Sequence, residues 1–300
     1  MTSPYLPMLL TLTTSVPHTA NWLYEVKYDG YRAILEWNGS RIILTSRNGH
    51  NLNDTFQFLS LSLTKLFKEA NIPPCVLDGE VCVVKNMFFA NFEALHTGER
   101  ENLSFMGFDL LELNEDTFLS TPLQQRKMHL KQVINNLPPN KSIYYVDSYS
   151  EDAPLWKLIT SNNGEGMICK KADSYYTPGK RSKEWLKLKN WKIAIVFLHA
   201  FDQSNGYFHV AVNRAGEIYK VGTFSHGLRS EERSVLIEVV KRNRASEKSG
   251  VMYVNPGIVL TLKYLDLYKE KLRHPRFDKF CFEKSWEECT WENIQSQWEK

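Results

Sequence analysis

Short runs of β-type sequence, separated by glycine or asparagine, recur along much of the chain and restrict it to a sheet-rich fold. Residues 23–49, LYEVKYDGYRAILEWNGSRIILTSRNG, predict successive strands, with Asn38-Gly39 as a tight turn between two of them. Residues 75–84 and 103–113 have the same strand character. Such a chain needs helices or further sheets to cover the apolar faces of these strands.

Helical signals lie between the strand segments. Apolar residues at helical spacing predict a helix near 56–67, and Thr121-Pro122 opens another that runs to about Leu137. A short helix is predicted over 152–164, before a strand in EGMICKK. The pattern up to about residue 189 is therefore α+β, with mostly antiparallel strands.

The pattern of predicted secondary structure changes near residue 190. Short strands at regular spacing follow, interrupted by one helix in SEERSVLIEVVKRN, for which Ser230 is the predicted N-cap. We expect an all-β barrel of the oligonucleotide-binding (OB) type with one helix, although periodicity alone also fits another small β-barrel. A chain of 300 residues favours two domains, which we predict at 1–189 and 190–300.

Composition limits the partners and the compartment. The formal charge is only +3, so a nucleic acid would have to be held by local patches. Residues 170–192 carry eight basic residues against Asp173 and Glu184, which fits either a phosphate-facing strip or a solvated face. The five cysteines are odd in number and lack C-x-x-C spacing, which argues against zinc or a disulfide framework. With no basic leader and no long apolar run, a cytoplasmic protein is expected.

The segment EVKYDGYRA places Lys27 beside an acid and a glycine. In one interpretation Lys27 lies on the wet face of a strand, and Asp29-Gly30 forms a hairpin turn. In the other, Lys27 is a nucleophile whose amine can bond to phosphorus. Gly30 would then let the backbone approach a ligand, and Arg32 would reach its phosphate or sugar.

Five further motifs follow Lys27, and their order decides between these interpretations. They are SRNG with Arg47, LDGE with Glu80, FMGFDLL with Phe108, GEGMICKK with Glu165, and EWLKLKN with Lys187 and Lys189. The series resembles the nucleotidyltransferase superfamily of covalent ligases and capping enzymes. It is most similar to ATP-dependent DNA ligases, and among them to the ligase domain of bacterial non-homologous end-joining ligases, also in PMLLT, RSKEWLKLKN and LRHPRF…EKSWEECTW.

This resemblance implies a nucleotidyltransferase (adenylation) domain followed by an OB-fold domain, and nick sealing in three steps. Lys27 would attack the α-phosphate of ATP, AMP would pass to the 5′-phosphate of the nick, and the 3′-hydroxyl would displace it. Cations at Lys187, Lys189 and Arg32 would favour the neutral form of Lys27. Lys187 and Lys189 would also offset charge on the α-phosphate. As an alternative, both are solvated lysines of a strand.

The remaining matched residues would bind the nucleotide or a metal. Arg32 and Arg47 would contact ribose and phosphate, unless SRNG is only a polar turn. Glu80 would accept from the ribose hydroxyls or help hold a metal, and Glu165 would lie on or near Mg²⁺ or Mn²⁺; as an alternative, both are surface turn residues. Asp29 would orient Lys27 or contact the metal, unless it belongs to a hairpin turn. Phe108 would stack on adenine or belong to the core, and the backbone around Glu25 and Val26 would recognise the base edge.

One motif departs from the family pattern. Near the C-terminus, where the family has an R-x-D-K type sequence, this chain has CFEK, with Cys281 for arginine and Glu283 for aspartate, while Lys284 fits. This departure puts in doubt how the barrel assists self-adenylation.

The expected partners are nicked or broken duplex DNA, Ku, and a separate end-joining polymerase. Basic residues of the second domain are candidate phosphate contacts: Arg229, Arg233, Lys241, Arg242 and Arg244. As an alternative, the cluster at 241–248 is a solvated helix end. Two other functions remain open on sequence alone, namely an RNA ligase or capping enzyme, which shares the K-x-D-G lysine, and a DNA-end-binding accessory protein that has lost catalysis.

Overall fold

A computed structural model describes residues 5–17, 19–99 and 102–298. The chain divides into two compact units, Met1–Asn190 and Trp191–Lys300. The prediction that the chain has no basic leader concerns the N-terminal segment, of which residues 1–4 and 18 lie outside the described residues.

The first unit contains eleven described strands and four helices. The strands are β1 Leu9–Thr13, β2 Trp22–Val26, β3 Tyr31–Trp37, β4 Ile42–Ser46, β5 Cys75–Asn86, β6 Phe89–Ala90, β7 Leu103–Leu113, β8 Asp116–Thr117, β9 Ile143–Tyr145, β10 Gly166–Lys171 and β11 Arg181–Lys189. The helices are α1 Gln57–Glu69, α2 Phe92–Thr97, α3 Leu123–Asn135 and α4 Asp152–Ser161.

The second unit contains nine described strands and two α-helices. They are β12 Lys192–Asp202, β13 Tyr207–Arg214, β14 Glu217–Phe224, α5 Ser230–Arg242, β15 Arg244–Lys248, β16 Val251–Val254, β17 Val259–Tyr264, β18 Asp266–Tyr268, β19 Lys271–Arg273, β20 Arg276–Phe280 and α6 Trp291–Gln295, with a 3₁₀ turn at Trp286–Glu288.

Two sheets build the first unit. One has the order β1-β11-β10-β2, and the other has the order β4-β3-β5-β7-β8, with β6 on β5 and β9 on β7. The named strand pairs are antiparallel except β1 with β11 and β7 with β9. The prediction of a mostly antiparallel α+β domain is thereby confirmed.

The local predictions differ in how closely they match. The hairpin at Asn38-Gly39 is confirmed, since β3 pairs with β4 and the Asn38 side chain accepts from the backbone N–H groups of Ser40 and Arg41. Helix α1 buries Leu59, Leu63 and Phe67, as its spacing predicted. Helix α3 begins after Pro122 and ends two residues before Leu137.

The Asp29-Gly30 hairpin turn is not what the structure contains. Strands β2 and β3 belong to different sheets, so residues 27–30 cross from one sheet to the other instead of reversing the chain. Gly30 is needed because a Cβ here would lie 2.2 Å from the Val81 carbonyl oxygen and 2.9 Å from Cys82 Cβ. On the side where a Cβ would project, the close neighbour of Gly30 is therefore the protein's own β5, and approach of a ligand to the Gly30 backbone stays a prediction.

We expect Gly30→Ala to lower the free energy of unfolding of the first unit by about 2–3 kcal/mol, because a backbone carbonyl cannot move aside as a side chain can. Gly257→Ala is the matched control, since a Cβ there meets no atom within 4 Å. Urea unfolding followed by tryptophan fluorescence measures both. Equal stability of the two variants would contradict the prediction.

The second unit is a curved antiparallel sheet around one core. Residues 192–197 of β12 pair with β17, and residues 200–202 pair with β16, so this long strand joins two parts of the sheet. Helix α5 covers the sheet through Leu236 and Val240. Its N-cap is Arg229, so the prediction of Ser230 as the cap is wrong by one position. The C-terminal helix α6, which buries Trp291 and Ile294, was not predicted.

The cysteines are all buried thiols within the described ranges. Cys281 is in the core of the second unit, and its backbone N–H donates to the Val259 carbonyl at 2.9 Å. Burial raises the pKa of the Cys281 thiol, which disfavours the reactive thiolate. Over the part of the chain that the structure describes, no helix has both the length and the apolarity to cross a bilayer.

Candidate active site

A cavity in the first unit is lined by residues from strands of both sheets. Its lining includes six residues singled out from the sequence, namely Glu25, Val26, Lys27, Arg32, Glu80 and Phe108. Ile168, Lys170 and Trp185 complete much of the wall. Strand register brings distant residues together, because Arg32 pairs with Glu80 across β3 and β5, and Glu25 pairs with Ile168 across β2 and β10.

Lys27 lies at the end of β2 and contacts Glu165. Its Nζ hydrogen-bonds to Glu165 Oε2, and their side chains are 18% and 11% exposed. The Lys27 backbone N–H donates to the Gly166 carbonyl at 2.9 Å, which fixes the start of the crossing segment beside β10. Two residues that are 138 positions apart in sequence thus form one ion pair in the cavity.

Carboxylates determine the charge state of Lys27 in this geometry. Burial alone would lower the pKa of Lys27, but Glu165, Asp29 and Glu80 together outweigh it and raise that pKa. The sequence-based expectation that neighbouring cations would favour the neutral amine is therefore wrong for this geometry. The positive charge of Arg32 is offset by its ion pair with Asp78. The ammonium form is therefore the favoured state of Lys27 in this geometry.

The carboxylates repel one another. Burial, followed by the charges of Glu165 and Asp29, raises the pKa of Glu80 to about 8 despite Lys27 and Arg32. Burial likewise raises the pKa of Glu165. Among the described residues, no group of three or more His, Cys, Asp or Glu side chains converges as a metal cage. Mg²⁺ is commonly held by one or two carboxylates plus substrate phosphates, and the oxygen donors of Glu165 and Glu80 fit that mode.

Arg32 is held by a residue that sequence reasoning missed. Its Nε and Nη2 donate to the two oxygens of Asp78, each at 2.6 Å, and Tyr176 also donates to Asp78 at 2.6 Å. The Asp78 carboxylate, after the opposing effect of burial, raises the pKa of Arg32. Two of the donors that the sequence assigned to ribose or phosphate are thus engaged within the protein. The aspartate of LDGE was the available signal.

Phe108 forms part of the cavity wall and is flanked by cations. The Arg32 guanidinium carbon and Lys170 Nζ each lie 4.4 Å from the centre of its ring. The ring also packs beside a buried cluster that includes Met106 and Val146. Both interpretations of Phe108 therefore describe part of its position, since it lines the cavity and supports the core.

Glu25 is the centre of a buried ion cluster. Lys127 Nζ donates to Glu25 Oε1 at 2.5 Å, Ser148 Oγ donates to the same oxygen at 3.0 Å, and Lys170 Nζ lies 2.7 Å from Oε2. Burial would raise the pKa of Glu25, but the two ammonium groups outweigh it and lower that pKa. Lys127 was missed because it lies in an amphipathic helix with no motif around it.

The position of Lys170 contradicts the prediction that it belongs to a phosphate-facing strip. Its side chain is 3% exposed, so it cannot belong to a phosphate-facing strip. Burial, followed by the charge of Lys127, lowers the pKa of Lys170 to about 8 against the favourable effect of Glu25.

This low pKa predicts a pH dependence of stability. An unfolded lysine titrates near pH 10.5, so between about pH 8 and 10.5 the unfolded chain binds a proton that the folded chain does not. Stability from this group therefore rises with pH in that window. We expect the unfolding free energy of the wild type, relative to Lys170→Met, to increase by about 2 kcal/mol between pH 7.5 and 10. Urea unfolding of both proteins at the two pH values measures it. A constant difference would contradict the prediction.

The lysines of β11 lie next to the cavity. Trp185, Lys187 and Lys189 alternate along the strand and share one face, and Trp185 lines the cavity. Burial, followed by the charge of Lys27, lowers the pKa of Lys187. Lys189 is among the charges that act on Glu165.

Arg47 lies in an exposed turn after β4, outside the cavity lining. The Gly49 N–H donates to the Ser46 carbonyl at 2.9 Å, which closes that turn. The polar-turn interpretation describes this geometry, and nucleotide contact by Arg47 stays a prediction.

The basic residues of the second unit are mostly engaged locally. Exposed ion pairs join Arg229 with Glu232, Lys241 with Glu238, and Arg244 with Glu247. The pairs of Lys241 and Arg244 fit the alternative in which the 241–248 cluster is solvated. Phosphate binding by these residues stays a prediction.

A two-sheet unit with a lysine-centred cavity, followed by a small barrel, defines the class of nucleotidyltransferases that carry an OB-fold. Residues 7–189 match the profile of the ATP dependent DNA ligase domain. The chain is 34% identical to the bifunctional non-homologous end joining protein LigD of Bacillus subtilis, over 94% of the chain and 50% of that protein. It is 32% identical to DNA ligase C1 of Mycolicibacterium smegmatis, over 64% of the chain and 58% of that protein.

Solved structures give the same result for the fold. Mycobacterial DNA ligase D complexed with ATP and MES matches with a TM-score of 0.59 and 25% identity, over 95% of this chain and 98% of that one. The ligase domain of M. tuberculosis LigD matches with a TM-score of 0.58, also at 25% identity and with the same coverage. The chain belongs to the ATP-dependent DNA ligase family. It spans about half the length of the curated relatives that it matches.

Proposed function

We propose that this chain is an ATP-dependent DNA ligase that seals nicks or broken ends in duplex DNA, with Lys27 as the nucleophile. Residues 1–189 are the nucleotidyltransferase domain and 190–300 the OB-fold domain. The observation that carries the proposal is the position of Lys27, at the end of β2 in a cavity that also contains Glu25, Arg32, Glu80 and Phe108.

The chemistry consists of three displacements at phosphorus. Lys27 Nζ attacks the α-phosphorus of ATP, an N–P bond forms, and pyrophosphate leaves. The 5′-phosphate of the DNA then takes the AMP and frees the lysine. Finally the 3′-hydroxyl attacks that phosphate, a phosphodiester forms, and AMP leaves. Lys187 and Lys189, which share a face of β11 with the cavity residue Trp185, would neutralise the α-phosphate oxygens during the first step.

The Lys27–Glu165 ion pair sets the condition for the first step. While Glu165 and its neighbouring carboxylates hold the ammonium form, the lysine lacks a free electron pair. A divalent cation, Mg²⁺ or Mn²⁺, would supply positive charge to the carboxylates and the leaving pyrophosphate. Glu165 and Glu80 would hold it, and Asp29 would contribute to the local negative charge. Release of Glu165 from Lys27 then leaves a buried amine whose protonation is disfavoured by desolvation.

The base and sugar are assigned to the cavity residues other than Lys27. Phe108 would stack on adenine, and the Val26 backbone would contact the base edge close to the Glu25 cluster. Arg32, oriented by Asp78, would reach the sugar or phosphate with its remaining nitrogen. Arg47 would act on the phosphate from the exposed turn.

The name of the Bacillus subtilis relative includes the words non-homologous end joining. We therefore assign this chain to end joining, with nicked or broken duplex DNA as its substrate and with Ku and a separate polymerase as candidate partners.

Nucleotide labelling tests the proposal. The protein is first treated with pyrophosphate to remove any AMP already bound, and then incubated with α-labelled ATP or GTP and a divalent metal. We expect a label from ATP that survives denaturing electrophoresis, and sealing of a nicked DNA duplex. Label from GTP, or sealing only when the nick is in RNA, would favour the capping-enzyme or RNA-ligase alternative. Binding to DNA ends without any adenylate would favour the accessory protein.

The role of Lys187 can be tested on the same strand. We expect Lys187→Ala to slow adenylate formation by roughly 100-fold or more, because it removes a cation that faces the developing charge. Lys183→Ala is the matched control, since Lys183 lies on the same strand and is exposed. Single-turnover labelling without DNA measures this step alone. Similar rates for the two variants would remove Lys187 from the mechanism.

A further inference from the structure

A second cavity of about 380 Å³ lies in the first unit, beside the lysine cavity. It lies between the end of β5, the start of β7 and the segment that begins with β9. Its apolar part is formed by Val84, Met106 and Val146, of which Met106 and Val146 are buried. The proposed ligase reaction uses none of these three residues.

Tyrosines form the walls of this second cavity. Tyr28, Tyr144, Tyr145 and Tyr149 all contribute. The Tyr28 hydroxyl donates to the Met87 carbonyl at 2.6 Å, which ties the segment after Lys27 to the turn between β5 and β6. A cavity of this size, with several aromatic side chains on an apolar base, suits one planar heterocycle.

Polar and cationic groups complete the lining. Lys85 and Lys141 contribute the cations, and Lys85 also lies 3.9 Å from Glu99 in a partly exposed pair. Asn86 and Asn102 contribute amides, each of which already makes a hydrogen bond within the protein. Asp147 is the one acid in the lining. The Ser104 hydroxyl donates to the Lys141 carbonyl at 2.8 Å, which anchors that part of the chain. Ammonium groups next to an aromatic cavity are the combination that binds a base with its phosphate.

The two cavities share a wall. Val26 and Tyr28 line both, and they flank Lys27 in sequence. Lys127 adds a second connection, because its Nζ pairs with Glu25 and also donates to the Val146 carbonyl at 2.9 Å. The same Nζ lies 4.8 Å from the centre of the Tyr145 ring. A ligand in the second cavity would therefore contact the residues that position the lysine segment.

We propose that the second cavity is a separate nucleotide site, which takes one nucleobase with its attached phosphate. The base lies among the tyrosines, and Lys85 and Lys141 bind the phosphate. Two sources share this chemistry, a free nucleotide and an unpaired nucleotide at a DNA end. The site does not require Lys27, so it stands independently of the proposed ligase reaction.

Equilibrium dialysis with labelled AMP tests the site. We expect two classes of bound AMP on the wild-type protein, one of which is weakened roughly tenfold by Tyr144→Ala and by Lys141→Ala. Tyr175→Ala and Lys68→Ala are the matched controls, since both residues are exposed and lie outside this lining. These controls should leave both classes unchanged.

A second arm identifies the source of the nucleotide. The probe is a 5′-phosphorylated tetranucleotide of thymidine, which competes with AMP for the site that the two variants weaken. Tighter binding than AMP points to a DNA end, and binding no tighter than AMP points to a free nucleotide. The proposal is overturned if AMP binds to a single class of sites. It is also overturned if AMP binds to two classes and Tyr144→Ala and Lys141→Ala leave both affinities unchanged. Loss of the Lys27 adenylate with the second class intact would separate failure of the ligase reaction from failure of this site.

Discussion

Lys27→Arg is expected to lower the rates of adenylate formation and of nick sealing by at least about a thousandfold. The variant should remain folded. Arginine keeps the positive charge that pairs with Glu165. Its guanidinium, however, stays protonated and cannot present a free electron pair to phosphorus. The variant therefore separates the nucleophilic role of Lys27 from its role as a buried cation.

Two measurements make this test sharp. Labelling with α-labelled ATP reports the adenylate, and thermal unfolding reports whether the ion pair is still accommodated. Lys183→Arg is the control, because it makes the same change at an exposed position. If Lys27→Arg retained a label that survives denaturation, another lysine would be the nucleophile, and Lys187 would be the first to examine.

Glu25→Gln is expected to have the largest effect on stability. The change leaves the ammonium groups of Lys127 and Lys170 buried without a neutralising charge. Breaking a buried ion pair in this way costs about 3–5 kcal/mol. We therefore expect the melting temperature of the first unit to fall by roughly 10 °C, measured by calorimetry.

Glu69→Gln provides the contrast. Glu69 also pairs with a lysine, but that pair is exposed on α1, at 3.7 Å, so we expect a loss of about 1 kcal/mol or less. A triple variant, Glu25→Leu with Lys127→Met and Lys170→Met, should recover most of the lost stability, because it removes all three buried charges together. Equal losses for Glu25→Gln and Glu69→Gln would show that the buried cluster is not a single electrostatic unit.

The sequence predicted the elements that local physics determines. The hairpin at Asn38-Gly39 and the apolar face of α1 follow from turn chemistry and from helical spacing, and both are confirmed. The presence of one lysine cavity also followed from the order of the motifs. Residues whose importance depends only on tertiary proximity were missed. Lys127 has no local signature, and Asp78 lies inside the LDGE motif but nothing there links it to Arg32; only the fold shows that they hold Glu25 and Arg32.

The predictions from the sequence that proved wrong also have physical causes. Asp29-Gly30 has the composition of a hairpin turn, but composition cannot tell whether the next strand joins the same sheet or another one. Lys170 belongs to a basic run, yet strand alternation turns it inward while Lys171 is half-exposed. The sign of the Lys27 pKa shift could not be predicted from nearby cations alone, because Glu165 and Glu80, which act on it together with the neighbouring Asp29, come from the residue before β10 and from β5.

The parallel pairing of β1 with β11 affects how the protein is made. Leu12 lies opposite Lys187, and Thr11 bonds to Ser182 across 171 residues of sequence at 2.6 Å. On the ribosome, β1 emerges early but must wait for its partner, which takes roughly 10–30 s at ordinary rates of synthesis. During that time the β1 segment is exposed to other chains and to chaperones, and the lysine strand β11 forms last. Catalytic competence therefore arises only after the entire first unit has left the exit tunnel.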